Sequence, residues 1–157
     1  MEKELKKIFL LLGIIISCLT INISVFAQDM EITISDEETD EDYSEDTTYS
    51  VLRGNNLNSG STKVTKLASN KVNVYGLTQC HHSCSTVYLT LSLERKVKGV
   101  YTTYKSWNFT ASNVTHLSKS INVIVPSGYY YRVRGYHAAK DGSKESVTTL
   151  TKGVLVK

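Results

Sequence analysis

Apolar and polar residues alternate along most of the chain beyond residue 60. In the clearest case Val87, Leu89, Leu91 and Leu93 are separated by Tyr88, Thr90 and Ser92. Successive side chains of an extended strand point to opposite faces, so a period of two marks a half-buried β-strand. Weaker versions recur. Val64 opens the first run, and Val72, Val74 and Leu77 mark the second. Tyr101, Thr103, Trp107 and Phe109 belong to the fourth, and Ile121, Val123 and Val125 to the fifth. Tyr129, Tyr131 and Val133 form the sixth, and the last runs from Val147 to Val156. β-branched and aromatic residues fill these runs. Turn formers separate them: Ser69-Asn70, Lys98-Gly99, Pro126-Ser127-Gly128 and Asp141-Gly142-Ser143. No window beyond residue 28 sustains a helical period.

Seven antiparallel strands predict an all-β fold, an immunoglobulin- or fibronectin-like sandwich over residues 63–157. A small barrel is the alternative. Pro126-Ser127-Gly128 before three tyrosines resembles the corner that leads into the sixth strand of such sandwiches, with one tyrosine making the corner hydrogen bond.

The N-terminus follows another pattern. Lys3, Lys6 and Lys7 precede an apolar run from Ile8 to Ile16, and Val25 and Ala27 place small residues ahead of Gln28. This is the layout of a secretory signal peptide, a helical leader over residues 1–27 cut between Ala27 and Gln28. Ile16-Ser17-Cys18 gives a second possibility, a lipid anchor at Cys18, although the residues after it stay apolar. An uncleaved anchor would need four polar positions inside its span. The cleaved chain carries no expected transmembrane segment.

Charge then divides the exported part. Residues 28–50 hold ten carboxylates and no lysine or arginine. Such a block repels itself and has little to bury, so residues 28–52 are expected to be a disordered acidic arm, followed by a turn-rich linker at 53–62. Residues 51–157 hold 15 basic residues against Glu94, Asp141 and Glu145, a net charge of +12. The arm is either a solvating spacer or a decoy that competes with an anionic ligand for the basic domain.

Composition removes several classes. A length of 157 residues suits one ordinary domain, one proline excludes a proline-rich rod, and three cysteines are too few for a disulfide-dense mini-protein. Three carboxylates in the basic domain leave little for a paired-acid hydrolase. There is no phosphate-cradling glycine loop and no nucleophile elbow. No cofactor is expected.

Cys80-His81-His82-Ser83-Cys84 is the densest chemical cluster. Export makes a Cys80–Cys84 disulfide the default. A metal site would need His116 or His137 to fold over, because four ligands within five residues cannot easily surround one ion. A reactive thiol with a histidine base is the third reading. His137 otherwise reads as an ordinary residue at a strand end. Arg95, Lys96, Lys98, Arg132 and Arg134 are the candidate contacts for an anionic ligand. Eight tyrosines in the domain are either cross-strand pairs or exposed rings able to stack on sugars. Nucleic acid is a poor partner for an exported protein.

The leader, the acidic arm, Leu52-Arg53-Gly54-Asn55, the cysteine pair before Val87-Tyr88-Leu89-Thr90-Leu91, and Tyr131-Arg132-Val133 ahead of His137 and Gly142 form one set. Together they resemble a family of small secreted proteins of Gram-positive bacteria catalogued as a domain of unknown function, number 6147. The resemblance covers residues 50–157 and brings no activity with it. The resulting expectation is a secreted, non-enzymatic β-sandwich that binds an anionic cell-envelope polymer or a partner protein. The alternative is a bacteriocin- or toxin-like effector whose acidic arm is an inhibitory leader.

Overall fold

The computed structural model describes residues 38–50 and 55–157. Ala27, Gln28 and Cys18 therefore lie outside the described residues. The described residues are all-β and form ten strands. They are β1 (Glu38–Thr39), β2 (Tyr43–Tyr49), β3 (Leu57–Ala68), β4 (Lys71–Cys84), β5 (Thr86–Val97), β6 (Val100–Ala111), β7 (Val114–Ile124), β8 (Tyr129–Asp141), β9 (Ser143–Leu150) and β10 (Gly153–Val156). Two sheets pack as a sandwich. The first has the order β1-β10-β8-β5-β6, with β9 also pairing β8, and the second has the order β2-β3-β4-β7. Among the described strands only the two-residue β1 pairs in parallel, with β10.

The core follows the alternation. Val87, Leu89, Leu91 and Leu93 of β5 are fully buried, opposite Val64, Val72 and Val74 of the second sheet. Burying each leucine contributes about 2 kcal/mol. Every run read from the sequence is a strand, and the last one is two, β9 and β10, parted at Thr151-Lys152. The tyrosine that makes the corner bond is Tyr131, whose hydroxyl donates to the Pro126 carbonyl at 2.8 Å. Burial raises its pKa, against the neighbouring Arg95 guanidinium, which lowers it.

Two boundaries need correction. The acidic arm expected to be disordered over residues 28–52 contributes β1 and β2 within its described part. Tyr43, Thr47, Thr48 and Tyr49 are strand formers, and β2 pairs with β3 along its whole length. The acids on it are used. The Asp46 carboxylate accepts the Leu150 amide at 2.8 Å, and the Ser44 hydroxyl accepts the Lys152 amide at 2.8 Å. Asp42 meets Lys66 at 3.0 Å and Glu45 meets Lys63 at 3.6 Å. Exposed pairs of this kind contribute less than about 1 kcal/mol each, so the ladder and the inward acceptors decide the outcome over self-repulsion. The linker expected at 53–62 gives way likewise to β3, which starts at Leu57. Its Ser and Thr residues are strand-compatible once Thr62 and Val64 turn inward.

His137 corrects a third expectation. It lies within β8, fully buried between the sheets. The Thr62 hydroxyl donates to Thr149 at 2.9 Å, and Thr149 lies 3.0 Å from the ring Nε2. Nδ1 lies 3.0 Å from the Thr78 hydroxyl, which itself donates to the Tyr88 carbonyl at 3.0 Å. Gly60 and Gly135 face the ring, and a β-carbon on either would overlap it. Burial pushes the imidazole pKa down to about 4, although a hydrogen bond with the Leu77 backbone works the other way.

Candidate functional site

Strand directions gather the chain's connections at two ends of the sandwich. The tight end holds residues 55–57, 81–86 and 141–145. Glu145 of β9 accepts three backbone amides there: Asn55 at 3.1 Å, Asn56 at 3.2 Å and Leu57 at 2.9 Å. The Asn56 side chain donates to the carbonyls of Asp141 and Ser143 at 3.3 and 2.9 Å. Its own carbonyl takes the His81 amide at 3.0 Å and the Cys84 thiol at 3.8 Å.

Cys80 and Cys84 are in β4, both buried and both free thiols. The disulfide expected from the sequence is not formed. Cys84 instead donates to the carbonyls of Asn56 and His82. Burial pushes the Cys80 thiol up to about 12, and the adjoining Cys84 and Glu145 add to it. A thiol in that state is a weak nucleophile. His82 turns outward and meets Asp141 at 3.3 Å, and His116 lies on β7 opposite Gln79. Among the described residues no three histidine, cysteine or acidic side chains are placed to hold a metal ion.

The five cations expected to contact an anionic ligand have different fates. Arg132 and Arg134 of β8 both bind Glu94 of β5, at 2.6 and 2.8 Å. Arg132 is buried and lies against the Tyr101 ring at 3.9 Å. Lys96 binds Glu38 at 2.7 Å. Removing two charges from water is repaid only by close geometry and further contacts, which the Glu94 cluster has. These groups are largely committed to the fold. Arg95 is stacked between Tyr104 and Tyr129, with ring centroids at 5.1 and 4.8 Å. Lys98 opens the β5–β6 turn with φ 51°, followed by Gly99 at φ 84°. Two positive φ values define the mirror-image turn that matches strand twist, which is why Gly is needed second.

The cations left facing outward on the first sheet are others. Register places Tyr88 beside Ala138 and Thr110, and Thr90 beside Tyr136 and Asn108. Ser146 and Thr148 of β9 extend those two rows. This face is a flat field of hydroxyls and amides around two tyrosines. Thr90 donates to Asn108 at 2.7 Å, and Ser92 and Ser106 are 3.0 Å apart. The Lys144 ammonium sits 4.6 Å from the Tyr88 ring and 5.5 Å from that of Tyr136. Lys140 is exposed beside it. The half-exposed Arg134 borders the field, and the buried Glu94 is the acid behind it. Sequence reasoning missed Lys140 and Lys144, although both flank the predicted Asp141-Gly142-Ser143 turn.

The class defined by this arrangement is a small antiparallel β-sandwich with a polar, aromatic and cationic sheet face. The chain belongs to the family of unknown function DUF6147, whose model matches residues 30–153. Comparison with curated proteins gives no match. Among solved structures the chain is similar to Spo0M, a sporulation control protein from Bacillus subtilis, at 12% identity and a TM-score of 0.37. That match covers 74% of this chain and 51% of the other, so the chain spans about half the length of that relative.

Proposed function

We propose that the protein is a secreted, non-enzymatic binding module of the Gram-positive cell envelope, and that its ligand is an anionic cell-surface polymer. The observation that carries this reading is the outer face of the first sheet. Tyr88 and Tyr136 offer ring faces, Thr90, Asn108, Ser92 and Ser106 offer hydroxyls and an amide, and Lys140 and Lys144 offer charge. Stacking on a sugar ring together with an ion pair to a phosphate or carboxylate would use all three. Charge at the rim governs encounter and salt dependence more than final affinity. The effector reading has less support, because β1 and β2 of the acidic arm are paired parts of the sandwich.

Binding of the exported chain to isolated phosphodiester-containing wall polymer, at low and high salt, tests the reading. Salt-sensitive binding, weakened about tenfold or more by Lys140→Gln with Lys144→Gln, is expected. Equal binding by that double variant would reject this face. Absence of binding at low salt would reject the ligand class.

A further inference from the structure

The other end of the sandwich, opposite the Glu145 cluster, collects the β3–β4, β5–β6 and β7–β8 connections. The Val125 amide donates to the Asn70 carbonyl at 2.9 Å, which joins the β3–β4 and β7–β8 connections. Arg95 of β5, stacked between Tyr104 of β6 and Tyr129 of β8, brings the β5–β6 hairpin beside them. Six large apolar or aromatic side chains are exposed among the described residues, and four are here: Leu67 at 48%, Val100 at 62%, Ile124 at 62% and Tyr129 at 36%. Leu67 and Val100 flank the β3–β4 and β5–β6 turns, and Ile124 and Tyr129 flank the β7–β8 connection. Lone exposed apolar residues are common on proteins, whereas several gathered on neighbouring tips mark a contact surface.

On the β5–β6 and β7–β8 side the charges are mostly positive, and the one carboxylate that reaches it among the described residues, Glu38, is bound to Lys96. Lys71 and Lys98 are at the tips, and Arg95 lies just behind, between Tyr104 and Tyr129. Arg95 Nε is buried without a hydrogen-bond partner. Three further carboxylates, Asp40, Glu41 and Asp42, sit on the β1–β2 turn at the opposite edges of both sheets. Asp42 is already bound to Lys66.

We propose that this end docks on an anionic lipid bilayer. Val100, Ile124 and Tyr129 enter the headgroup layer, and Lys71, Lys98 and Arg95 meet lipid phosphates. An interfacial anchor needs apolar side chains backed by cations and an amphipathic aromatic, which is the set these turns present. Neither signal is strong alone. Three shallow apolar side chains bind weakly, and each lysine near an anionic surface adds roughly a fivefold gain. Their coincidence gives reversible, salt-sensitive adsorption. The surface is separate from the outer sheet face, so this proposal stands or falls independently of the polymer reading.

Co-sedimentation of the exported chain with vesicles decides it, using phosphatidylglycerol mixed with phosphatidylcholine against phosphatidylcholine alone. Binding to the anionic vesicles is expected. Val100→Asp with Ile124→Asp should weaken it about tenfold or more. Lys71→Gln with Lys98→Gln should weaken it roughly twentyfold at low salt, and less at high salt. Lys140→Gln with Lys144→Gln should leave it unchanged. No sedimentation with anionic vesicles at low salt would overturn the proposal. So would equal sedimentation with the neutral vesicles, or full binding by the Val100/Ile124 variant. Unfolding midpoints for each variant separate lost binding from lost structure.

Discussion

The two ends of the sandwich are built on opposite plans. At one end, side chains serve the backbone: Glu145 holds three amides of the segment leading into β3, and Asn56 bridges to the β8–β9 turn. At the other, backbone bonds between segments and the Tyr131 hydroxyl hold the connections, and Leu67, Val100 and Ile124 face outward. Stability is therefore concentrated where the chain folds back on itself through long sequence separations. The exposed apolar side chains gather at the end without such long-range side-chain ties. The β5–β6 hairpin, closed by Lys98 and Gly99, needs no side-chain help, which leaves its flanking Val100 open to other uses.

Substitutions should separate these plans. The largest loss is expected for Glu145→Ala, which leaves three backbone amides without their carboxylate and frees the segment before β3. Urea unfolding should show a fall of about 4 kcal/mol, and Glu145→Gln should recover part of it. A fall close to zero would show that water replaces the carboxylate and that the tight end is not a stability centre.

The next effect belongs to the middle of the sandwich. His137 titrates near its ordinary value when unfolded and only at about 4 when folded. The unfolded chain therefore takes up the proton first as pH falls. The stability from the neutral buried ring is complete above about pH 6.5, and declines by up to ~1.4 kcal/mol per pH unit toward pH 4. Urea midpoints across this range should fall in the native chain and fall less in His137→Gln. Parallel curves would show that carboxylates, not this ring, dominate the acid limb.

The smallest effect is expected at the open end. Val100→Asp with Ile124→Asp should change stability by no more than about 0.5 kcal/mol, because neither side chain is buried. A larger loss would mean that these residues support the fold and would weaken the contrast between the ends.

The sequence made the sandwich readable because its core strands are half-buried, and the Val87–Leu93 alternation is the direct trace of that. It hid β2 because Tyr43–Tyr49 carries acids that, taken locally, only repel one another. Their partners, Lys63, Lys66 and the Leu150 amide, lie 18 to 104 residues away, and pairing at that range has no local signature. His137 was misread for a related reason. Its polarity suggests a surface position, and only the threonines of β3, β4 and β9 make its burial tolerable. Among the candidate contacts, Arg132 and Arg134 could be placed on one strand, but not opposite Glu94. Register alone supplies that, and register is a property of the pair of strands.

The threonines around His137 also give the interior a sense of direction. Thr62 gives its proton to Thr149, and Thr78 gives its own to the Tyr88 carbonyl. The oxygen of Thr78 is thus left to receive, and the ring must keep its hydrogen on Nδ1. Thr149 then points its proton at Nε2. One tautomer is imposed by partners drawn from both sheets, and the ring hydrogen is shut away from solvent. Such a hydrogen exchanges slowly and resonates far from the amide envelope. A single line in a proton NMR spectrum would therefore report whether the two sheets are in register, and would vanish when they part, before the strands themselves unravel.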